Sequence, residues 1–131
     1  MPVPQATSDD ERVASVREST RRFAEERVRP RAESLDETET FPLDLYRECA
    51  SLGLFGITVA EAHGGLGADV RTYAAVMEEL ARGYASVADQ CGLIELVGTL
   101  LSTYGTPAQI ARYVPPLVAF EKRCAYALTE A

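Results

Sequence analysis

The stretch from Ala85 to Tyr104 constrains the rest of the chain. Laid on a helix, Val87, Cys91, Leu93, Ile94, Leu96, Val97, Leu100 and Leu101 surround nearly the whole circumference. A helix that is apolar on every side is stable in water only when other elements cover it. The segment is therefore expected in the middle of a helical bundle, with Gly105 ending it. No apolar run reaches the ~20 residues that cross a bilayer, so a membrane is not an expected partner.

The remaining segments supply candidates for the covering helices. Ser8 and Glu11 fit the S-x-x-E capping box of a helix start. Val13, Val16, Thr20, Phe23 and Val28 then mark one helical face. Pro30 is expected to break or kink this helix, with a short continuation to about Leu35 and a polar loop from Asp36 to Thr40. Phe41-Pro42 opens a further helix, in which Leu45, Cys49 and Leu52 share a face and Gly53 is the C-terminal cap. Leu54 to Val59 is apolar and too short to classify. In the next helix Val70, Tyr73, Ala74, Met77, Leu80, Ala81 and Tyr84 form an apolar stripe, with Arg71, Glu78, Glu79 and Arg82 on the other side. Thr106-Pro107 starts a short helix, which Pro115-Pro116 is expected to interrupt. Cys124 to Thr129 alternates in the manner of a strand. The expected fold is all-α, an orthogonal or up-down bundle of about five to six helices. It ends in one orphan strand, which needs a sheet to satisfy its backbone groups.

Charge and cysteine usage narrow the function classes. The formal charge is −7, which argues against nucleic acid, since phosphate binding needs a basic patch. The arginines between Arg12 and Arg31 alternate with acidic residues and read as a solvated face of mixed-sign pairs. Cys49, Cys91 and Cys124 lie far apart and His63 stands alone, so neither a metal site nor a disulfide framework is expected. A reducing, cytoplasmic setting fits this pattern. Residues 1–8 read as a disordered leader.

Few residues invite a chemical role. Gly64-Gly65-Leu66-Gly67 lacks the spacing of a phosphate loop and reads as a tight turn. Asp89, Gln90 and Glu95 are polar interruptions of the apolar helix, and buried carboxylates are costly unless paired. Asp89, Gly92 and Leu96 are spaced by three and four residues and share a face that could line a pocket. The alternative is that Asp89 and Glu95 simply reach a helix end, an arginine or solvent. Gly92 and Gly98 weaken a helix by roughly 1 kcal/mol each, which points to close approach of a backbone or ligand. Cys49 and Cys91 read as small core residues. No Ser-His-Asp or Cys-His arrangement is present.

A succession of motifs carries a resemblance. The order is Phe41-Pro42, Leu52-Gly53-Leu54-Phe55-Gly56-Ile57, Gly64-Gly65-Leu66-Gly67, Glu78-Glu79-Leu80-Ala81-Arg82, Tyr104-Gly105-Thr106-Pro107-Ala108-Gln109, Arg112-Tyr113 with Pro115-Pro116-Leu117, and Ala127-Leu128-Thr129-Glu130. This resembles the N-terminal helical domain of the acyl-CoA dehydrogenase family, over essentially the whole chain from about Val13.

The resemblance implies three domains: this helical one, a middle β-domain and a C-terminal four-helix bundle. It implies bound FAD, a homotetramer or dimer, and oxidation of an acyl thioester to the trans-2-enoyl product. A glutamate base takes the α-proton and the β-hydrogen leaves as hydride to the flavin. Electrons pass on to electron-transfer flavoprotein. Residues 9–122 then form the helical domain, and 123–131 open a β-domain whose remainder is missing. Tyr126, Leu128 and Thr129 are the expected cofactor contacts. Ala88, Asp89, Gly92 and Leu96 are expected to line the deep end of the acyl pocket. No catalytic residue is expected here, because the base belongs to the missing C-terminal bundle; Glu130 is not that base.

Two departures from the family pattern stand out. Ala131 replaces a usual proline, and Asp89 is a polar choice in the pocket, favouring a short or polar acyl group. The substrate is expected as an acyl-CoA or, in a biosynthetic variant, an acyl carrier protein thioester. A different class of reading is a non-catalytic helical interaction module.

Overall fold

A computed structural model of the chain describes residues 9–129, and all of its regular secondary structure among them is helical. The α-helices are α1 (Asp9–Phe23), α2 (Ala32–Thr38), α3 (Leu43–Ser51), α4 (Val70–Gly83), α5 (Ala85–Tyr104) and α6 (Pro107–Val118). Helix α1 packs on α4, α4 on α5 and α5 on α6. The leader at residues 1–8, the Ser8 half of the capping box, Glu130 and Ala131 lie outside the described residues.

Around Pro30 the regular α-helix is interrupted and a short helix follows, as expected, but the interruption is made of tight helical turns. Helix α1 passes into a π-helical turn at Ala24–Val28 and then a 3-10 turn at Arg29–Arg31. The Arg29 amide donates to the Ala24 carbonyl, five residues back. The wider turn followed by a tighter one lets the chain bend around Pro30 without a loop. Helix α2 then runs to Thr38, into the expected polar loop, and stops at Glu39 in the left-handed region (φ 51°).

Helix α3 ends as its sequence requires. The Leu54 amide bonds to the Cys49 carbonyl at 2.9 Å and the Gly53 amide to Ala50 at 3.0 Å, around Gly53 at φ 74°. Leu45 and Cys49 are buried, but Leu52 is exposed. The unclassified run that follows is core without being helix or strand: Leu54, Phe55, Ile57 and Val59 are all buried. The glycine loop folds back over it. The Leu66 amide bonds to Gly56, Gly67 to Val59 and Ala68 to Ile57, at 2.9–3.0 Å. Gly65 permits this approach, since a Cβ there would sit 2.0 Å from the Val59 carbonyl oxygen.

Helix α4 starts on Asp69, whose side chain accepts from the Thr72 amide. Its buried face is Thr72, Ala75, Val76, Glu79, Leu80 and Gly83. This is rotated from the expected stripe: Val70, Ala74 and Ala81 are exposed, while Glu79, assigned to the polar side, is buried. Helix α6 starts on a complete capping box of Thr106 and Gln109. It also runs through Pro115 and Pro116 instead of stopping. Their missing amides strip the Ala111 and Arg112 carbonyls of helical donors, but both residues are exposed and open to water.

The core lies between α1, α3, α4, α5 and the 54–57 run. It is centred on Phe23, Val28, Leu45, Phe55, Val76, Leu80, Val87, Cys91 and Ile94. A smaller cluster of Val59, Val114 and Val118 seats α6. Helix α5 buries Val87, Ala88, Cys91, Ile94, Glu95 and Gly98 but leaves Leu96, Leu100 and Tyr104 exposed. Its all-round apolarity is thus only partly covered by the described residues. Cys124 to Thr129 is not a strand. It carries no regular structure, because no strand lies beside it among the described residues to complete a ladder.

Candidate functional site

An open groove of about 670 Å³ runs along α5. One wall is Asp89, Gln90, Gly92, Leu93 and Leu96 of α5; Tyr73 and Met77 of α4 face it; Cys124 to Tyr126 close the third side. Gly92 lets the two helices approach closely here. A Cβ there would lie 3.1 Å from Met77 Cε and 3.3 Å from the Tyr73 hydroxyl. The close approach that this glycine announces is therefore made by two side chains of the neighbouring helix.

The groove brings together Asp89, Gly92 and Leu96, the face read from spacing, and adds Tyr126 from the C-terminal segment. Ala88 is not on it. Ala88 is buried in the core beside Val87 and Cys91, because the next residue of a helix turns about 100° away. Leu128 and Thr129 are exposed and do not line the groove. Tyr73, Met77 and Cys124 are the lining residues that sequence reasoning assigned elsewhere. Tyr73 and Met77 sat in the apolar stripe, and no local signal separates a groove wall from a core face. Burial raises the Tyr73 hydroxyl and the Cys124 thiol above their usual ranges, so both are protonated, neutral groups at pH 7.

The other two polar residues of α5 have different fates. Asp89 is exposed and has no ion pair among the described residues. Glu95 is buried and accepts from the Ile57 amide at 2.6 Å, the Thr58 amide at 2.8 Å and the Thr58 hydroxyl. Its carboxylate thereby ties α5 to the buried run and serves the fold. A second buried carboxylate, Glu79, accepts from Arg17 Nε at 2.8 Å and Arg21 Nη2 at 2.9 Å, joining α4 to α1. These guanidiniums, Arg21 first, hold Glu79 down to about 2 against the opposing effect of burial.

The remaining candidates carry no chemistry. The Cys91 thiol is pushed well up by its hydrogen bond to Cys49 and by burial, which leaves it inert as a nucleophile. Among the described residues no group of three metal-ligating side chains comes together, and no helix is long and apolar enough to cross a membrane. Gly64 and Gly67 take positive φ, as tight turns require.

The acyl-CoA dehydrogenase N-terminal domain matches residues 10–121. A 3-(aryl)acrylate reductase of Clostridium sporogenes is 38% identical over 88% of this chain and 31% of its own length. A short-chain specific acyl-CoA dehydrogenase of Clostridium acetobutylicum is 38% identical, again over 88% of the chain and 31% of its length. The structure of butyryl-CoA dehydrogenase from Megasphaera elsdenii superposes with a TM-score of 0.76 at 28% identity, over 93% of this chain and 32% of that one. The chain spans about a third of the length of these relatives.

Proposed function

The chain belongs to the acyl-CoA dehydrogenase family as an N-terminal domain, and from that premise we propose that it forms one wall of the active site of a flavin-dependent acyl thioester dehydrogenase. The reaction is oxidation of the Cα–Cβ bond to a trans-2-enoyl product. The observation that carries this reading is the groove, which Asp89, Gly92, Leu96 and Tyr126 all line, around a space large enough for a short acyl chain.

The residues available suit a flavin edge. Tyr126 and Leu128 are exposed on a segment with no ladder partner among the described residues, so their apolar faces are open to a flat ring. Thr129 adds a hydroxyl. Tyr126, Leu128 and Thr129 are proposed to hold this edge of FAD, which when bound accepts the β-hydrogen as hydride. Within this chain Leu93, Leu96 and Met77 keep water from the acyl chain, and Gly92 lets Met77 and Tyr73 pack close to α5. The base that removes the α-proton is proposed to come from the C-terminal bundle of the same protein. Residues 123–131 are proposed to open the middle β-domain. A homotetramer or dimer in the cytoplasm, passing electrons to electron-transfer flavoprotein, completes the proposal.

The test is the full-length protein, followed by flavin absorption and by enoyl product formation from acyl-CoA and acyl carrier protein thioesters with a dye acceptor. A yellow, active full-length protein and a colourless, inactive 131-residue chain are expected. A full-length protein that lacks flavin and turns over none of these thioesters refutes the reading and favours a non-catalytic module. The carrier preferred by the active protein decides between catabolic and biosynthetic roles.

A further inference from the structure

We infer that Asp89 is a specificity-determining residue that selects acyl groups bearing a basic nitrogen, held as a cation at the polar end of the groove. The inference rests on the reading of this groove as the acyl site.

The groove is polarised along its length. Asp89 and Leu96 are seven residues apart on one helix, about 10 Å at 1.5 Å per residue. Asp89 and Gln90 stand at one end of the α5 wall, with the Tyr73 hydroxyl reaching in next to Gly92. The far end is Leu93 and Leu96. Asp89 is exposed in this open groove and keeps its hydration beside a plain alkyl chain, which offers it no donor. A donor of matching charge adds an ion pair that the alkyl chain lacks.

The surrounding charge picks a cation over a neutral donor. Behind Asp89 lies a second hollow, lined also by Asp36 and Glu39, and no lysine or arginine lines either space. Arg123 lines the smaller cleft that adjoins the groove at Gln90, Leu93 and Cys124, and it forms no ion pair with Asp89. The potential at the end of the groove is therefore negative, and a protonated amine or guanidine is favoured there over an uncharged hydroxyl.

Two thioesters of nearly equal shape isolate the effect: γ-guanidinobutyryl, and the branched alkyl isostere in which carbon replaces each nitrogen. The flavin-loaded full-length protein is assayed with both, and with the butyryl thioester as control. The wild type is expected to favour the guanidino substrate in kcat/KM by about tenfold, the size of one hydrogen bond to a charged group. Asp89→Asn should bring the ratio to about one, and Asp89→Glu should keep most of it. Equal preference in the wild type, or an unchanged ratio in Asp89→Asn, overturns the inference. Turnover of butyryl thioester alone also overturns it while leaving the proposed function standing. Failure on all three removes both.

Discussion

Glu79→Gln takes the charge from the carboxylate that clips α4 to α1. In the wild-type chain this group is held from an ordinary 4.5 down to about 2 by its guanidinium partners. At about 1.36 kcal/mol per tenfold, the whole difference is worth about 3.4 kcal/mol, an upper bound. Arg17 and Arg21 keep 37% and 39% of their side chains in water. Solvent screens such pairs, so a loss of about 2 kcal/mol at neutral pH is expected. The pH dependence identifies the cause. Because the folded-state value lies below the unfolded one, the contribution is complete above 4.5 and is lost as pH falls toward 2. More than half should be gone at about pH 3. The assay is urea unfolding of wild type and variant, followed by circular dichroism at neutral and acid pH. The stability gap should shrink as pH falls, since acid protonates the wild-type glutamate while glutamine does not change. A gap that stays constant refutes the argument and makes Glu79 a packing residue.

Two further substitutions probe the buried run. Glu95→Ala leaves the Ile57 and Thr58 amides without the acceptor they hold at 2.6 and 2.8 Å. A loss of about 3 kcal/mol is expected, with faster hydrogen exchange at those two amides as the direct readout. Gly65→Ala forces a Cβ to within 2.0 Å of the Val59 carbonyl oxygen and should destabilise by about 3 kcal/mol or more in the same unfolding assay. Gly64→Ala, where a Cβ meets nothing within 4 Å, should lose only the strain of its positive φ, about 1 kcal/mol.

What could be read from the sequence was whatever is decided within a turn or two of helix. The Thr106 cap, the Gly53 stop and the Asp89, Gly92, Leu96 face all depend on neighbours within seven residues. The polar interactions of the core do not. Glu79 looks like a surface residue until Arg17 and Arg21, separated from it by 62 and 58 positions, fold against it. Glu95 gave a warning, as a carboxylate in an apolar helix, but its partners were amides, which every residue but proline carries and no sequence pattern marks. Proline misled once. At Pro115-Pro116 the helical path continued, because turns near a helix end tolerate a missing donor when the orphaned carbonyl faces water. Of the groove, the α5 wall was legible. The opposite wall was not, since Tyr73 and Met77 reach it through a helix rotated from its apparent stripe.

The π turn at Ala24–Val28 is a matter of phase. Closing hydrogen bonds over five residues absorbs one residue more than an α-turn does. Removing one residue from this turn restores the ordinary α-helical spacing and leaves the phase of the segments on either side as it is, because the extra residue was already absorbed there. Thr20 and Phe23 would stay in the core, and Arg17 and Arg21 would stay against Glu79. The same deletion between Arg21 and Phe23, in regular helix, has no such slack and would swing everything before it by about 100°. Single-residue deletions should therefore be tolerated better in this turn than in the helix that precedes it.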